Sequence, residues 1–271
     1  MTSKKRLSNV KVYNDPYPIL EFTNFLDIEE SKNATDILKK SIFDEMKDGG
    51  RKNIRKGSTN FNDFIKKNKV FNDIYNFLNN KGTFEYFIKQ LKNIPLQSST
   101  KYEIKNLPKK FKPDFYEYKR GIHKHNFFQR LKSFMYKKLP NWFQNLFNFY
   151  FFDLIFCYAK KGYVTPIHRD KNSRIIVFLL YLNDLNENDG GCLEIYKNKN
   201  KLSNYKIVVP DIKDVLLKHK IKPEAGKLII FQSNPVSFHK AESIHNELAE
   251  RAFCYGSYTL NNDVEWIEKF N

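Results

Sequence analysis

Two histidines and one carboxylate stand where they could share a metal ion. His168 and Asp170 are separated by one residue in Thr165-Pro166-Ile167-His168-Arg169-Asp170. On an extended chain they therefore point to the same side. His239, in Phe238-His239-Lys240, arrives much later. Two neutral imidazoles and a carboxylate on one face of a divalent iron leave the opposite face open to further ligands. The carboxylate also offsets part of the metal's charge. Taken alone, His-x-Asp reads as an ordinary strand end with polar residues. The surrounding elements decide between the two.

Those elements come in a definite order. An apolar run, Leu154-Ile155-Phe156-Cys157-Tyr158, precedes His168. A strand-like run from Arg174 to Leu182 follows it. The turn Asp189-Gly190-Gly191 leads into Cys192-Leu193-Glu194-Ile195-Tyr196. Gly226-Lys227-Leu228-Ile229-Ile230-Phe231 lies just before His239. Arg251-Ala252-Phe253-Cys254-Tyr255-Gly256-Ser257-Tyr258 closes the series. This arrangement, over roughly Phe151 to Leu260, resembles the 2-oxoglutarate- and Fe(II)-dependent dioxygenases, in particular their prolyl 4-hydroxylase-like branch.

The resemblance implies Fe(II) held by His168, Asp170 and His239, with 2-oxoglutarate and O2 as co-substrates and ascorbate as an accessory reductant. It implies oxidative decarboxylation of 2-oxoglutarate to succinate, coupled to hydroxylation of an unactivated C–H bond. The far carboxylate of 2-oxoglutarate needs a buried cation, and a guanidinium can hold it with two parallel hydrogen bonds. Arg251 is the candidate. The segment Lys240 to Glu250 makes the connection from His239 a little longer than is usual in the family. Tyr181, in Leu180-Tyr181-Leu182-Asn183, would sit beside the co-substrate. Tyr158 would give a phenol to the co-substrate or face the substrate. His245 competes with His239 for the second ligand, but it sits in a polar loop, whereas His239 follows a strand and an Asn234-Pro235 turn.

The expected fold class is α+β: a double-stranded β-helix, or jelly roll, over 151–271 with an N-terminal helical layer within 1–150. Residues 1 to about 16 read as a loose basic arm, and Pro18 to Phe22 as a short strand. Thr23 or Asp27 could cap the helix that follows. Apolar residues across Ile28 to Met46 recur at three- and four-residue steps, a helix face stopped by Asp48-Gly49-Gly50. Phe61 to Ile94 predicts two or three more helices, with Thr83 a plausible N-cap. The aromatic stripe there reads as core that braces a sheet. Lys109 to Arg120 mixes basic and aromatic residues, and His123-Lys124-His125 lacks a nearby carboxylate or thiolate partner. A peripheral strand is expected around Ile207 to Val209.

At 271 residues, 41% hydrophobic and 16% aromatic, the chain can bury a sizeable core. Its net charge of +17 invites a nucleic-acid reading. The lysines are spread along the whole chain without a binding motif, which favours a compositional origin. Cys157, Cys192 and Cys254 lie in apolar runs and read as buried thiols in a reducing compartment. No apolar stretch follows the basic N-terminus, and Leu146 to Ala159 is too short to span a bilayer. A cytoplasmic protein with no membrane association is expected, its oligomeric state unassigned.

Three functions compete. The first is a hydroxylase of a prolyl or other amino-acid side chain, in a protein, a peptide or a small molecule. The second is a nucleic-acid demethylase with the same iron chemistry. Ser257 stands where that branch would carry a second arginine. The third is a non-catalytic jelly-roll binding module, disfavoured by the joint presence of His168, Asp170, His239 and Arg251. Halogenation would need a small residue in place of Asp170.

Overall fold

The computed structural model describes residues 6–42, 50–97, 100–105, 107–115, 148–199 and 208–270. The described residues form twelve strands in chain order: β1 (Asn9–Tyr13), β2 (Ile19–Thr23), β3 (Arg51–Arg55), β4 (Thr100–Ile104), β5 (Tyr150–Ala159), β6 (Arg174–Tyr181), β7 (Leu193–Asn198), β8 (Val215–Ile221), β9 (Leu228–Gln232), β10 (Phe238–Ala241), β11 (Arg251–Leu260) and β12 (Trp266–Phe270). The helices are α1 (Ile28–Ile42), α2 (Phe61–Lys67), α3 (Lys69–Leu78) and α4 (Lys81–Lys92). A seven-stranded sheet runs β1-β2-β9-β6-β11-β5-β3, a three-stranded sheet runs β10-β7-β8, and β12 pairs with β4. All the strand pairings are antiparallel. This is the α+β jelly roll with a helical layer.

The middle strands of the large sheet, β5, β6, β9 and β11, are covered on both faces, which is why they read as mostly apolar runs. Side chains alternate across a strand. On β5, Phe152, Leu154, Phe156 and Tyr158 enter the cluster shared with the helices, while Ile155, Cys157 and Ala159 enter the cluster facing the small sheet. On β6, Phe178 and Leu180 take the helical side, and Val177, Leu179 and Tyr181 the other. The helical side is built from rings: Phe156 stacks on Phe61 at 5.6 Å between centroids and meets Phe71 edge-on at 4.6 Å. Such pairs add roughly 0.5–1.5 kcal/mol beyond the area they bury. The aromatic stripe is therefore core, and it fixes the back of the sheet whose front carries the site.

Several expectations need correction. Residues 9–13 are not a loose arm; they form edge strand β1, paired with β2. The boundary at 150/151 does not separate two units, because β1, β2 and β3 are strands of the same sheet as β5, β6, β9 and β11. Helix α1 starts in a reciprocal cap: Asp27 Oδ1 accepts from the Glu30 amide at 2.8 Å and Glu30 Oε2 from the Asp27 amide at 3.2 Å. Asn80, not Thr83, caps α4, accepting from the Gly82 amide at 2.8 Å. Val208 and Val209 lie in a bend, and the strand expected there is β8. Asp48, Gly49, the 118–125 segment and Ile207 lie outside the described residues. Cys157, Cys192 and Cys254 are buried free thiols. Among the described residues, no helix is long and apolar enough to cross a membrane.

Candidate metal centre and co-substrate cleft

The backbone brings the two histidines together before any side chain acts. The His168 amide donates to the His239 carbonyl at 3.0 Å, and the His239 amide returns the bond at 2.9 Å. Thr165 extends this ladder: its amide donates to Ala241 and its hydroxyl accepts from the Ala241 amide at 2.8 Å. The 165–168 segment thus lies along β10 at the edge of the small sheet. Residues opposite each other in such a pair place their side chains on one face, and the two imidazole centroids are 4.6 Å apart. The two histidines therefore do not come from facing sheets. Both belong to the small-sheet side, and Asp170 makes the link to the large sheet.

One ligand atom from each of His168, Asp170 and His239 lies within 4.8 Å of the others. His168 Nδ1 lies 2.8 Å from the Pro166 carbonyl, and His239 Nδ1 lies 3.0 Å from the Ser237 carbonyl. A carbonyl can only accept, so each Nδ1 carries the proton and each Nε2 is left with its lone pair. Burial is the main influence on His239 and lowers its pKa to about 4, against the opposing pull of the Asp170 charge. The imidazole is therefore neutral at pH 7, the form that coordinates a metal.

Asp170 is 5% exposed. Burial acts most strongly and would raise its pKa. The Arg174 guanidinium, the two histidines and the Tyr255 hydroxyl together outweigh it and bring the carboxyl down to about 2. Oδ1 accepts from Tyr255 Oη at 2.8 Å and from Arg174 Nη1. Oδ2 is buried with no hydrogen-bond partner among the described residues and lies 3.5 Å from His239 Nε2. One oxygen is held and the other is aimed at the gap between the histidines.

A cleft of about 230 Å³ opens from this cluster. His168, Asp170, Arg174 and His239 line one part of it, Arg251, Phe253 and Tyr255 of β11 another, and Arg51 and Tyr163 a third. Arg251 is 1% exposed. Its Nη2 donates to Tyr181 Oη at a long 3.4 Å, while Nε and Nη1 have no partner among the described residues. The guanidinium carbon lies 4.6 Å from the Phe253 ring centroid and 5.1 Å from that of Tyr181. A buried cation with two idle donors is costly unless an anion arrives.

The remaining candidates sort clearly. Tyr181 lies behind Arg251, and burial pushes its phenol up to about 12. Tyr158 is corrected: it faces the helices, and its hydroxyl bonds to Glu250. The pleat is the reason, since Cys157 and Ala159 take the site side of β5. His245 is exposed and outside the cluster. Arg174, read from sequence as a strand entrance, instead braces Asp170. Tyr255 was legible as sharing a face with Arg251, though its bond to Asp170 was not. Arg51 carried no signal, standing in the polar run Arg51-Lys52-Asn53-Ile54-Arg55.

Residues 154–256 match the family model of the 2OG-Fe(II) oxygenase superfamily. This segment belongs to that superfamily. A prolyl-4-hydroxylase structure from Pseudomonas putida is 24% identical over 40% of this chain, with a TM-score of 0.30, and the chain covers 51% of its length. The viral collagen prolyl hydroxylase of Paramecium Bursaria Chlorella virus-1, in its 2OG complex, is 13% identical over 90% of this chain and 97% of its own, with a TM-score of 0.41. A 2OG-Fe(II) oxygenase family oxidoreductase from Burkholderia pseudomallei is 13% identical over 42% of this chain and 45% of its own, with a TM-score of 0.29. No curated protein matches the chain. The oxygenase domain's own residues fit the family's Fe(II) and 2-oxoglutarate. Asp170 Oδ2 and the two Nε2 atoms form a donor set suited to the metal, and the idle donors of Arg251 suit a carboxylate.

Proposed function

We propose that this oxygenase domain is an Fe(II)- and 2-oxoglutarate-dependent hydroxylase of an amino-acid side chain, prolyl or other, in a polypeptide or free. One observation carries the reading. Three converging ligand atoms and a buried guanidinium with two idle donor nitrogens line the same cleft. Bound Fe(II) would let O2 act as the oxidant of both partners: one oxygen atom would enter succinate as 2-oxoglutarate loses carbon dioxide, and the other would enter a substrate C–H as hydroxyl. The protein's part is positional. Arg251 holds the far carboxylate of 2-oxoglutarate. Arg174 and Tyr255 fix the Asp170 carboxylate so that Oδ2 needs no reorientation to coordinate. Leu179, Leu193 and Phe253 keep that part of the cleft apolar and limit water. The amino-acid substrate extends the sequence resemblance to the prolyl 4-hydroxylase-like branch.

The test is an anaerobic titration with Fe(II) and 2-oxoglutarate, followed in air by a succinate-release screen over peptides, free amino acids and methylated oligonucleotides. Turnover with a peptide or amino acid is expected. Metal binding without turnover on any of them would leave a binding module, and turnover confined to methylated oligonucleotides would make the domain a demethylase.

A further inference from the structure

The cleft holds more positive charge than its co-substrate uses. Arg51 and Arg251 are both cross-strand partners of Ala159, one from each side of β5. Residues in one such row share a face of the sheet, and two strand spacings separate their backbones by roughly 10 Å. The small Ala159 side chain lies between them. Both arginines line the cleft with Arg174, against a single lining carboxylate among the described residues, Asp170. Arg174 is engaged by Asp170, and Arg251 is the seat for 2-oxoglutarate. Arg51 is half-buried, and its Nη1 donates to Tyr163 Oη at 3.1 Å. Its guanidinium lies 5.5 Å from the Tyr163 ring centroid. No carboxylate among the described residues pairs with it. A cation held in a partly dry, net positive cleft calls for an anion from outside the chain.

We infer that Arg51, with the Tyr163 hydroxyl beside it, binds a carboxylate of the substrate and so decides which carbon faces the metal. This rests on the hydroxylase reading and narrows it to carboxylate-bearing substrates. The carboxylate can be the α-carboxylate of a free amino acid or an acidic side chain in a peptide. Binding at the far end of the row from Arg251 leaves the co-substrate seat undisturbed. It lets one cleft take two different anions in fixed places. A guanidinium suits this task because its planar fork pairs with both carboxylate oxygens.

The experiment is a binding measurement on the full chain under anaerobic conditions, with Mn(II) and 2-oxoglutarate present. Calorimetry and thermal shift read the binding of free L-amino acids, their carboxamides, and N-acetylated, C-amidated peptides with and without Asp or Glu. At least one carboxylate-bearing probe is expected to bind, with its neutral amide weaker by about tenfold or more, or about 1.4 kcal/mol. Preference for a free acid identifies a small molecule, and preference for an acidic capped peptide identifies a peptide. Arg51→Gln should abolish the acid-over-amide preference, Arg51→Lys should retain part of it, and Tyr163→Phe should weaken it. Unfolding midpoints without ligand establish that each variant folds. Equal binding of acid and amide, a preference that survives Arg51→Gln, or no binding by any carboxylate probe overturns the inference. Binding of 2-oxoglutarate alone to the wild-type protein is measured first. Its failure would count against the hydroxylase reading, whereas the acid–amide contrast decides the role of Arg51.

Discussion

Replacing Arg251 separates a ligand-binding cation from a structural one. Two of its donors, Nε and Nη1, are buried and idle, and its bond to Tyr181 is long. With a carboxylate present, each idle donor can make a charge-assisted hydrogen bond of about 1.5–3 kcal/mol. Arg251→Ala removes both, so the 2-oxoglutarate requirement should rise at least about tenfold, and by roughly 10²–10⁴-fold if both bonds form fully. Fe(II) affinity without 2-oxoglutarate should change little, because Arg251 is not a ligand. Arg251→Lys should recover part of the loss, since charge returns without the fork. Arg174 gives the opposite pattern. It holds Asp170 Oδ1, so Arg174→Gln should weaken metal binding first and 2-oxoglutarate only through the metal. Stability without ligands supplies a second reading. Replacing even a buried ion pair with apolar residues of similar volume is often neutral or stabilising, by about 1–4 kcal/mol, and a buried guanidinium without a carboxylate partner has less attraction to lose. Arg251→Met should therefore unfold no earlier than the wild type when metal and co-substrate are absent. Anaerobic calorimetry and thermal unfolding measure both quantities. Strong destabilisation of the ligand-free protein by Arg251→Met, or an unchanged 2-oxoglutarate affinity, would refute a ligand-binding role for Arg251.

Three further outcomes are expected. Fe(II) or Mn(II) at a hundredfold excess over its dissociation constant should stabilise the wild type by about 2.7 kcal/mol; His168→Ala, Asp170→Ala and His239→Ala should each lose that shift and the metal-dependent turnover, and a shift retained in all three would place the metal elsewhere. Burial lowers the Lys56 pKa from 10.5 to about 8, so the unfolded chain binds more protons between those values. Wild-type stability relative to Lys56→Met should then climb by about 3 kcal/mol from pH 8 to 10.5, and a flat difference in pH-dependent denaturation would show that the ammonium bears no such penalty. Nucleic-acid binding driven by the diffuse net charge should be weak and vanish at moderate salt; tight, lesion-selective binding at physiological salt would move the demethylase reading forward.

The sequence alone determined the chemistry and the order of its carriers. His-x-Asp, a distant histidine and a strand-opening arginine are legible because residue type limits what can bind a metal or a carboxylate. The jelly roll was legible because strands buried on both faces must be apolar along most of their length, as in Ile175–Tyr181 of β6 and Leu228–Phe231 of β9. The helical layer was legible from its aromatic period. What the tertiary structure decided lies across strands. A pleat sends adjacent residues to opposite faces, so a misjudged register by one residue moved Tyr158 from the cleft to the helical core and put Ala159 in the row between two arginines. The imidazole tautomers depend on carbonyls that only the local backbone path brings within reach, at Pro166 and Ser237. The N-terminal third of the chain looked like a separate layer because local periodicity says nothing of which strand a segment will pair with. Only pairing with β5 carries Arg51, from a run of ordinary polar residues, to the wall of the cleft.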